Sequence, residues 1–117
     1  MKTLFALFVL MCVTSMVHAQ PYPSRPIRLI VPSAPGGSPD ISSRMYAPEI
    51  TRQMGQQLVV DNRSGAGGLI GFEMVAKAPP DGYTIGYATF ALSTVNALLP
   101  NLRFDPQRDL QMVMHNT

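Results

Sequence analysis

Cysteine and histidine are scarce in this 117-residue sequence, and both shortages narrow its possible chemistry. The only cysteine, Cys12, falls in a leader that we expect to be removed. The mature chain then has no disulfide and no thiol nucleophile, so its stability has to come from packing. A single histidine, His115, remains after residue 20. We therefore expect no metal, no cofactor and no catalytic residues.

An excess of charge of one sign is also lacking. Nine Lys and Arg residues accompany seven Asp and Glu residues, and one of the nine, Lys2, lies in the expected leader. The remaining charges are scattered along the chain. No basic stripe is present that could neutralise a row of phosphates, so we expect no nucleic-acid partner.

The first nineteen residues have the three-part organisation of a secretory signal peptide. Lys2 gives the positive start, residues 4–13 are an apolar run, and Val17 and Ala19 precede a cleavage point. The apolar run is about half of the ~20 residues that cross a bilayer, which disfavours the alternative of a membrane span. We predict cleavage after Ala19 and export of the mature chain to the periplasm.

A lipoprotein signal at Cys12 is a second alternative for this leader. Met11 stands directly before that cysteine, and a bulky residue there does not suit lipoprotein processing. We therefore interpret residues 1–19 as a cleaved signal peptide.

Strand and helix signals alternate along residues 20–117. Strands are predicted at 27–31, 58–60 and 83–89, with a fourth beginning at 110–114, and helices at 38–54, 69–78 and 90–99. Steps of this kind predict parallel pairing with right-handed crossovers and helices on both faces of the sheet. The predicted fold class is therefore α/β, with an open parallel sheet.

Three strand-to-helix loops, at 33–38, 63–68 and 89–93, are the candidate sites. Ligands of open α/β sheets bind beyond the carboxyl ends of the strands. Two of these loops are rich in glycine, and each delivers a helix N-terminus, whose free N–H groups receive anions such as carboxylates. In the first helix, Ser38 is predicted to cap, Pro39 to open the helix, and Asp40 either to cap or to order the loop. The alternative is a purely structural role, in which the glycines only permit tight turns.

A nucleotide site is not supported. Gly65 and Gly67 fit the first two glycines of a dinucleotide fingerprint, but the third falls on Ile70 and no acidic residue follows at the required distance. A phosphate loop of the Walker type is also absent from the sequence. Serines in the first two loops have no visible base that could activate them.

Four blocks of sequence resemble the Bug family, the TctC-like receptors of tripartite tricarboxylate transporters. They are Pro26–Pro32 followed by Pro35-Gly36-Gly37 and Asp40, Asp61–Gly71, Val75–Thr84, and Phe104-Asp105-Pro106 followed by Asp109-Leu110. The resemblance covers nearly all of residues 20–117, in the family's order.

The resemblance implies a type II periplasmic binding protein, whose two domains enclose a small carboxylate-bearing ligand. It implies delivery of that ligand to membrane transporter subunits, or signalling without transport. On this sequence the implied ligand-binding residues are Gly36, Gly37, Asp40, Ala66, Gly67, Gly68 and Thr89.

Three departures from the family pattern bear on this interpretation. Ser33 replaces a usual aromatic residue, which leaves one cleft wall less apolar, and Ser64 replaces a usual proline. The family's chains are also much longer, so we expect residues 20–117 to be part of the first domain, with the second domain absent. A non-functional remnant of such a receptor stays open as an alternative, as does a small α/β enzyme with a phosphate-binding loop.

The export prediction can be tested on secreted material. N-terminal mass spectrometry should find Gln20, or its cyclised form, as the first residue, because Ala19 ends the leader. Retention of Met1, or a lipid on Cys12, would contradict it.

Overall fold

The structure is a computed structural model that describes residues 21–99 and 101–114. The predicted signal peptide (1–19) and His115 lie outside the described residues. Within them, no helix combines the length and apolar character that a membrane crossing needs.

Three parallel strands form one open sheet. They are β1 (Ile27–Val31), β2 (Leu58–Asn62) and β3 (Thr84–Gly86), in the order β2-β1-β3. β1 is central and is buried along its length except at Arg28, as expected for a strand covered on both faces. Because Val31 pairs with Asn62, the first two strands end side by side.

Two helices cover opposite faces of this sheet, which confirms the predicted fold class. These are α1 (Ser38–Met54) and α2 (Leu69–Ala76), and α3 (Phe90–Leu98) follows β3. Alternate residues of β1, at positions 27, 29 and 31, pack in a cluster that includes Ala47, Ile50 and Met54 of α1. Arg28 and Ile30 face the other way, and Arg28 contacts the sulfur of Met74 on α2 at 3.8 Å.

The predicted fourth strand is wrong, since residues 110–114 form no strand in the described chain. Met112 and Val113 are largely exposed there. The apolar composition of this segment favours a strand, but a strand also requires a neighbour that pairs with its backbone.

Element boundaries differ from the predictions in smaller ways. β3 is shorter than the predicted 83–89, and β2 continues to Asn62. The predicted cap at Ser38 is also wrong: the cap position is Gly37 and no side chain caps the helix, so Ser38 is already the first helical residue and Pro39 the second. Gly55 ends α1 with φ +70°, as predicted.

Glycines allow α2 to lie close to the sheet. A Cβ built on Gly71 would come 3.0 Å from Cβ of Pro32 and 3.2 Å from the carbonyl oxygen of Arg63. A Cβ on Gly86 would come 2.9 Å from Val75. The start of α2 is therefore fixed against the end of β1 by a close backbone approach.

Gly71→Ala distinguishes close packing from helix propensity. Propensity alone predicts a gain of about 1 kcal/mol, whereas overpacking against Pro32 predicts a loss of about 1–3 kcal/mol. We expect a lower melting temperature in thermal unfolding, because the contacted atoms are backbone and ring atoms that yield little. Gln53→Ala, on the exposed side of α1, is the control and should change little. A more stable Gly71→Ala protein would contradict the packing argument.

Candidate functional site

In the structure the first loop comprises residues 32–37, because β1 ends at Val31 and α1 begins at Ser38. It meets the second loop (residues 63–68) at the carboxyl edge of the sheet. The backbone N–H of Arg63 donates to the carbonyl oxygen of Val31 at 2.8 Å, so the second loop starts beside the first. β3 lies on the other side of β1, and Tyr87 N–H donates to Ile30 O at 2.9 Å. β2 and β3 thus lie on opposite sides of β1, so the strand order reverses at β1, which makes this edge a topological switch point.

Hydrogen bonds inside the first loop use the N–H groups of both predicted glycines. Gly36 N–H donates to Oδ2 of Asp40 at 2.8 Å, and Gly37 N–H donates to Ala34 O at 3.2 Å. The first helical bond runs from Ile41 N–H to Gly37 O. Since Pro39 has no N–H, the donors that helix geometry leaves open at the start of α1 are those of residues 38 and 40.

Asp40 is the organiser of the first loop. Only 4% of the residue is exposed, its Oδ2 accepts from Gly36, and its Oδ1 accepts from Nε of Arg44 at 2.9 Å. The hydrogen bond from the Gly36 backbone lowers the pKa of this carboxyl group; burial opposes that effect, and Asn62 and Arg44 add to the lowering. Of the two roles considered for Asp40, loop ordering is the one that these contacts support.

Four successive residues of the second loop have positive φ angles. The φ angles of Gly65, Gly67 and Gly68 are +125°, +67° and +96°, and Ala66 joins them at +47°. Gly68 N–H donates to Gly65 O at 2.9 Å, and Leu69 N–H donates to Ala66 O. Three predicted residues thus occur together here, but the N–H of Gly68 is already used.

The N–H groups of the second loop that are still free to bind a ligand belong to its exposed residues. Gly67 is exposed, and a Cβ on it would meet nothing within 4 Å. Ala66 is also exposed. Helix geometry leaves the N–H groups of Ile70 and Gly71 without an intrahelical acceptor. An anion approaching from solvent therefore finds backbone donors of Ala66 and Gly67 next to the N-terminus of α2.

Two arginines surround the one carboxylate beside the second loop. Asp61 accepts hydrogen bonds from Nε of Arg28 at 2.6 Å and from Arg63 at 3.1 Å. Burial of Asp61 raises its pKa, but the hydrogen bonds from Arg63 and Arg28 outweigh burial, and the net pKa is lowered. The cluster keeps one positive charge in excess, which favours an anion at this edge.

Within the described part of the chain, Ser33 and Thr89 make no side-chain hydrogen bond that orders the two loops. The hydroxyl oxygen of Ser33 is buried and finds no hydrogen-bond partner among the described residues, so it lies under the loop rather than on an open wall. Thr89 occupies the cap position of α3 without a side-chain cap bond. The hydrogen bonds that join the first two loops do not involve it. Phe90, directly after Thr89, is 82% exposed.

Arg44 and Asn62 have roles that the sequence interpretation did not assign. Arg44 stands four residues after Asp40, a spacing at which opposite charges meet on a helix, so this pair could have been predicted. The contact between Asn62 and the first loop joins residues 29 positions apart, and no local pattern signals it.

Two surface grooves lie elsewhere. One of about 320 Å³ runs between α2 and residues 99–104, and another of about 480 Å³ lies between α1 and β2. Neither is lined by a predicted ligand residue. In the described part of the chain, both loops thus lie outside these two grooves. No group of three or more possible metal-ligating side chains occurs there either.

Comparison with known sequences gives one family. The family described as "Tripartite tricarboxylate transporter family receptor" (TctC) matches residues 42–116. A protein from the tcbD-tcbE intergenic region of Pseudomonas sp. strain P51 is 41% identical over 86% of this chain and 31% of its own length. Protein BugT of Bordetella pertussis is 40% identical over 84% of this chain and 31% of its own length. The chain thus spans about three tenths of these relatives.

Solved structures show the same architecture. The periplasmic binding protein BugD superposes with a TM-score of 0.72 at 40% identity, over 75% of this chain and 29% of BugD. Rpa4515 of R. palustris, solved with adipate, gives 0.68 at 38% identity over 74% of this chain and 29% of its own. MatC of Rhodopseudomonas palustris, solved with bound malate, gives 0.66 at 33% identity over 75% and 30%.

Acid should loosen the first loop through Asp40. Because its folded pKa lies below the ordinary value of 3.8, its stabilising contribution is complete above that pH and is lost as pH falls through the folded pKa. Melting temperatures followed by circular dichroism should therefore fall below about pH 4.

The Asp40→Asn variant should melt lower at pH 7 and depend less on pH below 4. It should keep part of the dependence, because other carboxyl groups have lowered pKa values, namely Asp61, Glu49, Glu73 and Asp109. For comparison, Asp109→Asn removes another such carboxylate, which is paired with Arg108 and lies outside the first loop; it should lose only its own part of the pH dependence. An Asp40→Asn protein with the wild-type pH profile would show that this carboxylate does not hold the loop.

Proposed function

The chain belongs to the tripartite tricarboxylate transporter receptor family, and from this premise we propose that it binds small carboxylate-bearing solutes at its two glycine-rich loops. The family consists of receptors, and we propose no catalytic step. The chain spans about 31% of the curated relatives' length. Ligand binding by a whole receptor that contains this chain is therefore also proposed.

The ligands of two relatives support the carboxylate class. Rpa4515 was solved with adipate and MatC with malate, and both ligands are dicarboxylates. These two proteins share 38% and 33% identity with this chain. A ligand with two carboxylates can engage two separate groups of donors, and the start of α1 and the second loop offer such a pair.

The single observation that carries the proposal is the exposed backbone with positive φ angles directly before α2. Gly67 has φ +67° and open space around it, and Ala66 beside it is also exposed. Their backbone N–H groups precede a helix N-terminus, where the helix dipole adds to the attraction for an anion. Arg63 at the start of the same loop supplies the nearby positive charge.

The predicted ligand residues take different parts in this proposal. Ala66 and Gly67 present backbone donors to the carboxylate, and Asp40 holds the first loop in shape through Gly36. Gly37 and Gly68 have their N–H groups bonded within the loops, so they act by allowing close backbone approach. Thr89 would reach the ligand from the third loop.

We place this receptor in the periplasm, where the relatives described as periplasmic binding proteins act. The proposal includes a signal peptide at residues 1–19 and a first solute-binding domain that contains residues 20–117. It also includes membrane transporter subunits as partners that receive the ligand. The surface of the two loops would form one wall of the ligand cleft.

A charge placed at Gly67 tests the site. In a full-length receptor carrying this sequence, Gly67→Asp should weaken dicarboxylate binding by at least about 100-fold, or roughly 2.7 kcal/mol. A carboxylate at this position opposes the anion where the N–H groups have to face it. Isothermal titration calorimetry with adipate and malate measures the change.

Gly67→Asn is the matched control. Asn and Asp both tolerate the left-handed conformation and have nearly the same size, so the two variants differ mainly in charge. Gly67→Asn should retain much more of the affinity than Gly67→Asp. Equal affinities in both variants and the wild type would remove this loop from the proposed site.

A further inference from the structure

Asn62 lies where the two loops begin. It is the last residue of β2 and pairs in register with Val31, the last residue of β1. The first loop leaves the sheet from Val31 and the second from Asn62. A side chain at this position can therefore contact both loops without a long reach.

The amide of Asn62 bonds in two directions at once. Its Nδ2 donates to the carbonyl oxygen of Ser33 in the first loop at 3.2 Å. Its Oδ1 accepts from a terminal guanidinium nitrogen of Arg44 on α1 at 3.1 Å. Only an amide offers a donor and an acceptor at this spacing on so short a side chain.

The contacts continue from Arg44 back to the first loop. Nε of Arg44 donates to Asp40 at 2.9 Å, and Asp40 accepts from the backbone of Gly36 at 2.8 Å. The chain of hydrogen bonds thus leaves Asn62 by both ends of its amide and returns to the first loop at Ser33 and at Gly36. Residue 33 lies before the turn that precedes α1, and residue 36 lies within that turn.

Both loops need such support because their backbones are permissive. Gly36 has φ +81° and open space around it, and the second loop has four successive residues with positive φ. Each glycine gives the backbone more accessible conformations, so it lowers the free energy needed to leave the conformation seen here. A ligand that had to order both loops would lose affinity to that ordering, whereas loops already fixed by side chains avoid the loss.

We propose that Asn62 is a positioning residue that couples the two loops, so that the first loop is held in its binding conformation by the strand that leads into the second. The inference rests on the proposed function for its ligand and on the hydrogen bonds of Asn62 for the coupling. Asn62 acts through Ser33, Arg44, Asp40 and Gly36 and does not itself have to touch the ligand.

Two substitutions at this position separate its bonds. Asn62→Asp keeps an acceptor for Arg44 but loses the donor to Ser33. Asn62→Leu has a similar size and loses both bonds. Gln57→Leu is the matched control, since Gln57 is exposed and lies just before the opposite end of the same strand.

The first measurement needs no ligand. Amide hydrogen exchange of Gly36, followed by nuclear magnetic resonance in the full-length chain, should be faster in both Asn62 variants and unchanged in Gln57→Leu. The hydrogen bonds from Asn62 through Arg44 and Asp40 end at the N–H of Gly36, so exchange of this amide reports on the network. Unchanged exchange at Gly36 in both variants would overturn the coupling.

The second measurement is calorimetric titration with adipate and malate at a temperature where all variants are folded. Affinity should fall about tenfold or more, as it does when the hydrogen bonds that orient metal-binding side chains are removed. Asn62→Leu should lose at least as much as Asn62→Asp. Faster exchange at Gly36 with wild-type affinity would overturn the positioning role.

Failure of the proposed function gives a different result. If the wild-type receptor binds neither dicarboxylate, the function assigned to the loops is wrong, while the exchange of Gly36 still decides whether Asn62 couples them. If the wild type binds and Asn62→Asp binds equally well, the function stands and the inference falls.

Discussion

Burial of β1 on both faces is the constraint on which the rest of the structure depends. Its alternate residues pack against α1 on one side and face α2 on the other, and each neighbouring strand pairs with it in parallel. Parallel strands begin and end together, so the loops that follow β1 and β2 have to emerge at the same edge. The close approach of Gly71 to Pro32 fixes α2 at that edge as well.

The site combines permissive backbone with fixed side chains. Glycines and Ala66 at positive φ allow the second loop to expose N–H groups, and such a loop alone would have many conformations. The first loop also contains glycines, and there Asp40 restricts the backbone by accepting hydrogen bonds from Gly36 and from Arg44. The donors of Gly36 and Gly37 are consumed in this ordering, so the groups left for a ligand are fewer than the count of glycines implies.

Prediction from sequence succeeded where a segment's own residues decide its conformation. β1 between two prolines, α1 ending at Gly55, and the turn before β3 follow from local composition. The structure confirms the strand at 27–31 and the end of the helix at Met54. Prediction failed at residues 110–114, where composition favours a strand and no partner pairs with it. The cap at Ser38 failed by one residue, because the turn of Gly36 and Gly37 lets the helix begin without a side-chain cap.

The sequence by itself determined the fold class, the position of the glycine-rich loops and the family, because periodicity, turn residues and motifs are all local in the chain. It could not determine which N–H groups stay open. Gly36 donates to Asp40 and Gly68 to Gly65, and these bonds depend on backbone angles. Nor could it show that Asn62 reaches Ser33. That contact exists only because the register of two parallel strands brings residues far apart in sequence to the same edge of the sheet.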